Sequence, residues 1–195
     1  MASGPEMTEP LTPDEKKTLL KLARDAMTCA VRRQAPPVVE QALLTPALLE
    51  PGASFVTLTK AGALRGCIGA LEAYQSLVED VREHAAAAAL EDYRFPNVTE
   101  PELAQIAIEV SRLTPAVPLV YSGADDLLVK LRPGVDGVIL RDGARRATFL
   151  PQVWEKIPDP VEFLRNLCYK MGAEPDAWRR RAMEVLTYQV EEFHE

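Results

Sequence analysis

The stretch Ser54-Phe55-Val56-Thr57-Leu58-Thr59-Lys60-Ala61-Gly62-Ala63-Leu64-Arg65-Gly66-Cys67-Ile68-Gly69-Ala70 decides the fold. In its first half Phe55, Thr57 and Thr59 alternate with Val56 and Leu58, the two-residue period of a strand with one buried face. Ala61-Gly62 is a tight-turn pair, and residues 63–70 return antiparallel. A second hairpin occupies 135–150, where Val138, Ile139 and Leu140 lead into Asp142-Gly143 and Ala147-Thr148-Phe149-Leu150 comes back. A strand near 105–113 puts Ile106, Ile108 and Val110 on one face and Glu109 and Ser111 on the other. A closing strand at 184–190 carries Leu186, Tyr188 and Val190 on one side.

Helices separate these strands. Thr12, Pro13 and Glu15 form an N-cap, a first-turn proline and the acid of a capping box. The helix that follows buries Leu19, Leu20, Ala23, Ala26, Met27, Ala30 and Val31 and is expected to stop at Pro36-Pro37. Ser76 and Glu79 predict a second capping box, opening a helix to about Leu90 whose apolar face is Leu77, Val78, Val81, Ala85, Ala88 and Ala89. Asp159, Pro160 and Glu162 start a third, with Phe163, Leu164, Leu167, Cys168 and Met171 as its stripe and Gly172 as its stop. Residues 38–53 read as a connection with a helical turn at Pro46-Ala47-Leu48-Leu49. Hairpins separated by isolated helices do not make a βαβ series. The expectation is therefore α+β, with a mixed, mainly antiparallel sheet and three main helices. Residues 1–12 are expected as a flexible tail and 13–195 as a single domain.

Of 195 residues, 47% are hydrophobic and 26% charged, which excludes a disordered chain. A formal charge of -7 argues against general nucleic-acid binding, which depends on a basic surface. No apolar run approaches the roughly 20 residues of a membrane helix. Met1-Ala2-Ser3-Gly4-Pro5-Glu6 lacks the basic and apolar regions of a secretory signal. Cys29, Cys67 and Cys168 are odd in number and widely spaced, so no disulfide framework and no metal site is expected. A cytoplasmic protein, with no membrane partner, is the expectation.

Leu64-Arg65-Gly66-Cys67-Ile68-Gly69 is the most unusual local stretch. On a regular strand Arg65 and Cys67 share one face, with Leu64 and Ile68 on the other. Gly66 and Gly69 then leave room for a ligand or another backbone. Cys67 with Arg65 is the candidate catalytic pair, a thiol beside a guanidinium. The competing reading is a small buried cysteine in a strand whose glycines make a bulge. A nucleophilic thiol needs a base, and the two histidines offer little. His194 lies next to the C-terminal residue and is expected to fray, while His84 follows Asp80 by one helical turn and suits a helix boundary. Arg94, between Tyr93 and Phe95, suits either a carboxylate or phosphate ligand or a structural ion pair. Glu109 and Ser111 line either a groove or a solvated strand face. Arg179-Arg180-Arg181 reads as a solvated turn. The candidate ligand-binding set is thus Gly66, Gly69, Arg94, Glu109 and Ser111, with no cofactor required by the sequence.

Taken together, the cysteine motif, Asp92-Tyr93-Arg94-Phe95-Pro96, Glu109-Val110-Ser111 with Leu113-Thr114-Pro115, and Thr148-Phe149-Leu150-Pro151-Gln152-Val153 resemble the AMMECR domain family. The late segment with Phe163, Leu164, Cys168, Lys170 and Gly172 is similar as well, so the resemblance covers about residues 13–193. Trp154-Glu155-Lys156-Ile157-Pro158 is shorter than the family's usual stretch, and no residue role is carried over there. The resemblance implies two unequal lobes with the cysteine motif facing a cleft between them. It also implies the A component of the AmmeMemoRadiSam gene set, with Memo-like and radical SAM proteins as partners. The family's activity is not established. Two functions follow as expectations: an enzyme or accessory subunit acting through Cys67 and Arg65, or a non-catalytic adaptor or ligand-binding module.

Overall fold

The computed structural model describes residues 9–195, and residues 1–8 of the expected 1–12 tail lie outside them. The chain is α+β, and its described residues divide into two compact units, 9–114 joined by Glu191–Glu195, and Pro115–Val190. In the first unit, helix α1 (Pro13–Val31) starts as its sequence dictates: Glu15 N–H donates to Thr12 Oγ1 at 3.3 Å and Thr12 N–H to Glu15 Oε2 at 2.7 Å. Leu11 is buried and donates its N–H to Glu191, so residues 9–12 are anchored rather than loose. The helix stops five residues before Pro36. Arg33 takes the left-handed conformation (φ 57°) and Gln34 N–H reaches back to Cys29 C=O at 2.8 Å, a Schellman-type ending.

Helix α2 (Pro46–Leu49) is the expected short turn, preceded by a 3-10 turn at Gln41–Leu43. Strands β1 (Ala53–Lys60) and β2 (Ala63–Gly69) form the first hairpin. Ala61 and Gly62 both have positive φ, the signature of a type I′ turn. Helix α3 (Leu77–Leu90) begins without a side-chain cap: Glu79 pairs with Arg82, so the expected Ser76–Glu79 box does not form. A 3-10 turn (Glu100–Gln105) precedes β3 (Ile106–Leu113), which pairs antiparallel with β1. Val56, Leu58, Ile106, Ile108 and Val110 face α1 and α3 and share a core with Leu19, Met27, Val81 and Ala88. Each buried Val, Leu, Ile or Met side chain of this core contributes on the order of 1.5–3 kcal/mol.

The second unit holds β4 (Val117–Pro118), α4 (Ala124–Lys130), β5 (Gly137–Asp142), β6 (Arg145–Phe149), α5 (Val153–Lys156), α6 (Pro160–Lys170), α7 (Ala177–Arg180) and β7 (Glu184–Tyr188). Its sheet runs β4-β7-β5-β6 with antiparallel pairing throughout. Asp159 caps α6, and Phe163, Leu164, Leu167 and Cys168 are buried beneath it. Trp154 stacks on Phe163 at 3.6 Å and donates its indole N–H to Asp136 C=O at 2.7 Å. The short helices α4 and α7 have no expectation in the sequence, and the Arg179–Arg181 segment belongs partly to α7.

One strand expectation needs correction. Residues 184–190 are not one strand. The chain breaks at Gln189, so that β7 serves the second sheet and β8 (Val190–His194) returns to the first. The first sheet is therefore β2-β1-β3-β8, and the expected mixed sheet is two separate ones. Phe193 is buried, which fixes β8 and places His194 in a strand rather than a frayed end. Among the described residues no helix is long and apolar enough to cross a membrane.

Candidate functional site

Cys67 sits in β2, an edge strand of its sheet. Gly66 is buried against α3, where an added Cβ would lie 2.1 Å from the Ala88 carbonyl oxygen. That glycine exists for helix–strand contact. Gly69 lies opposite Phe55, whose ring would be 2.4 Å from an added Cβ, so the aromatic side chain fills the space the glycine leaves. Neither glycine opens a ligand cavity within this unit. The expected alternation also breaks. Leu58 pairs with Gly66 but Thr59 with Leu64, leaving Arg65 as the extra residue of a bulge. Leu64 is consequently 44% exposed, whereas Ile68 packs on the core.

The bulge sends Arg65 away from the thiol. Its Nε and Nη2 donate to Glu102 at 3.1 Å each, and Nη1 and Nη2 donate to the carbonyls of Pro96 and Asn97 at 2.7 and 3.2 Å. Glu102 also accepts from Lys60 at 3.0 Å and from the Thr99 N–H and hydroxyl at 2.9 Å. Arg65, then the Thr99 amide and Lys60, hold the Glu102 carboxyl well below the usual carboxylate range. With a side chain only 14% exposed, Arg65 ties β2 to the 96–97 loop.

Asp92 does the same for Cys67 itself. Its Oδ2 accepts the Cys67 N–H at 2.8 Å and Arg94 Nη2 at 2.6 Å, and Oδ1 accepts Arg94 Nε at 2.8 Å. Arg94 Nη2 in turn donates to the Cys67 carbonyl at 3.2 Å. The Arg94 guanidinium, followed by the Cys67 amide, keeps the Asp92 carboxyl far below its ordinary range. Asp92 was not among the residues expected at the site, nor was Glu102. The Thr99-x-x-Glu102 capping pattern marks Glu102 in the sequence, whereas only the Asp92-x-Arg94 spacing hints at Asp92.

On the sheet face turned away from α1 and α3, Cys67, Thr57 and Glu109 form one cross-strand row, and Gly69, Phe55 and Ser111 form the next. The Thr57 hydroxyl donates to Cys67 Sγ at 3.4 Å. Glu109 is half-buried and two strands from the thiol in the same row. Ser111 is buried. His84 lies on the opposite side of the sheet. Its Nδ1 is 3.1 Å from Asp80 Oδ2, which also accepts the N–H and hydroxyl of Ser54 at 2.8 and 2.6 Å. Ser54 is on the helix face with Val56 and Leu58, so this imidazole joins α3 to β1 and does not serve the thiol. Among the described residues no group of three His, Cys, Asp or Glu side chains is placed to hold a metal ion.

The AMMECR1 family model matches residues 20–193. A protein of Methanothermobacter thermautotrophicus is 40% identical over 95% of this chain and 97% of its own. Protein MK0488 of Methanopyrus kandleri is 38% identical over 97% of this chain and 92% of its own. Among solved structures, the crystal structure of uncharacterized protein PH0010 from Pyrococcus horikoshii superposes with a TM-score of 0.86 at 31% identity, covering 95% of this chain and 93% of that one. With the match running through both units and the cysteine motif, the chain belongs to the AMMECR1 family.

Proposed function

We propose that the protein is an accessory, ligand- or partner-binding subunit that presents Cys67 as a contact thiol. One observation carries this reading. The arginines of the two motifs are committed to carboxylates, Arg65 to Glu102 and Arg94 to Asp92, while Sγ accepts a hydroxyl from Thr57. Such a site is rigid and pre-organised for contact, and pre-organisation is what a docking surface needs. The face that does the contacting is the row Cys67, Thr57 and Glu109. In this reading the partners are the Memo-like and radical SAM proteins implied by the family resemblance, and the setting is the cytoplasm. A nucleophilic role for Cys67 is the second reading, and what favours it is the Thr57 hydroxyl on Sγ.

Calorimetric titration of the Memo-like and radical SAM proteins of the same organism onto this chain tests the proposal. Binding should weaken at least tenfold in Cys67→Ser and Glu109→Gln, with melting temperatures held within a few degrees. Unchanged affinity in both variants, or no binding by the wild type, overturns it. A covalent adduct on Cys67 that accumulates during turnover of the mixture replaces it with the nucleophilic reading.

A further inference from the structure

We propose that Asp92 and Arg94 are positioning residues for Cys67, a side-chain ring that stands in for the missing neighbouring strand and fixes the backbone that carries the thiol. Cys67 lies opposite Thr57 and turns its N–H and C=O away from β1, toward the open edge of the sheet. Another strand would normally take that pair of groups, and an unprotected edge is a site of unwanted pairing. Here a carboxylate takes the N–H and a guanidinium takes the C=O. The two side chains are also bound to each other through both carboxylate oxygens, which closes the ring.

Three further features make the ring part of the fold. Gly66 allows α3 to touch β2, which brings the chain leaving α3 at Glu91 alongside residue 67. Phe95 N–H donates to Asp92 C=O at 3.0 Å and Arg94 N–H to Asp92 Oδ1 at 3.2 Å, so the loop closes on its own aspartate. Arg65 holds the next two residues by their carbonyls. Asp92 is only 5% exposed, so its charge-assisted bonds are sheltered from water. The two sequence motifs 64–69 and 92–96 are thereby one structural device: the second fixes the backbone of the first at its cysteine.

This inference takes from the proposed function only the purpose of the thiol, and its test does not involve a partner. The full chain is treated with iodoacetamide at neutral pH, and alkylation of Cys67 and Cys29 is followed by peptide mass spectrometry. Cys29 is half-buried on α1, far in sequence from the ring, and serves as the internal reference. Asp92→Asn and Arg94→Gln should each speed Cys67 at least tenfold relative to Cys29. Arg94→Lys, which keeps a charged donor, should fall between them and the wild type. A Cys67-to-Cys29 ratio within twofold of wild type in both variants overturns the proposal. So does acceleration of both cysteines together, because that reports general loosening. Should Asp92→Asn fail to fold, Arg94→Gln decides alone, since the Arg94 side chain is 45% exposed and its loss leaves no core cavity. A changed ratio alongside unchanged partner affinity would sink the proposed function and leave the ring standing.

Discussion

The hairpin of β5 and β6 keeps an unbroken register from Val138 opposite Phe149 to Asp142 opposite Arg145. Its inward residues Val138, Leu140 and Ala147 sit in an apolar core with Phe163, Leu167 and Trp154. The hairpin of β1 and β2 loses register at Leu58 and Thr59, and its outer strand is held by Arg65, Glu102, Asp92 and Arg94 as much as by packing. Both hairpins turn on two residues, with positive φ at Ala61 and Gly62 in one and at Gly143 in the other. They differ in what fixes the outer strand. Hydrophobic burial alone gives a regular ladder, whereas a bulge with a charged clamp aims particular groups at particular places. The irregular hairpin is the one that carries the cysteine motif.

The comparison predicts its largest effect in the apolar unit. Leu167→Ala removes a side chain with no solvent exposure, and should cost roughly 2–5 kcal/mol by denaturant unfolding. A loss under 1 kcal/mol would mean that α6 does not anchor that core. In the clamped hairpin, Arg65→Ala strips two bonds from Glu102 and two from the loop carbonyls. Lys60 still neutralises Glu102, so the cost should be about 1.5–3 kcal/mol. Arg65→Lys should recover only part of it, because an ammonium cannot make the bidentate contact. Full recovery by lysine would show that charge, not fork geometry, holds the loop.

Acid sharpens the contrast. Asp92 and Glu102 have depressed carboxyl pKa values in the fold, so each contributes stability that is complete above its unfolded value, near 4, and lost as pH falls below it. Unfolding followed from pH 6 to pH 2 should therefore show a steeper loss for wild type than for a Glu102→Gln, Asp92→Asn double variant. Parallel curves would contradict the clamp. The smallest expected effect is a gain. Ala61 occupies the left-handed region at φ 50° in the β1–β2 turn, where asparagine fits better. Ala61→Asn should stabilise by about 0.5–1 kcal/mol, read as a small rise in melting temperature. A fall would mean that the turn is not strained at this residue.

Much of the architecture could be read from local patterns. The Thr12 and Asp159 caps, both hairpins and the apolar stripe of α6 are local signals, and the structure realises them. The break at Gln189 was hidden because 184–190 alternates without interruption, and only the position of two separate sheets distinguishes β7 from β8. Strand periodicity placed Cys67 on a face with Arg65 because a bulge is invisible to a two-residue period. The partners of both arginines were hidden for a related reason. Glu102 is 37 residues from Arg65, and Asp92 is 25 from Cys67, and contacts at such separations arise only once α3 packs on Gly66.

The claim that charged side chains complete the edge of β2 has a direct measurement: amide hydrogen exchange at Cys67 in the native protein. The N–H faces away from β1, so without the ring it would exchange like an exposed edge amide. With Asp92 as acceptor it should be protected at neutral pH nearly as well as Ile68, which pairs with Val56, and that protection should collapse selectively in Asp92→Ala. Exchange of the wild-type Cys67 amide at the rate of an open loop, or equal protection with and without the Asp92 carboxylate, would contradict it.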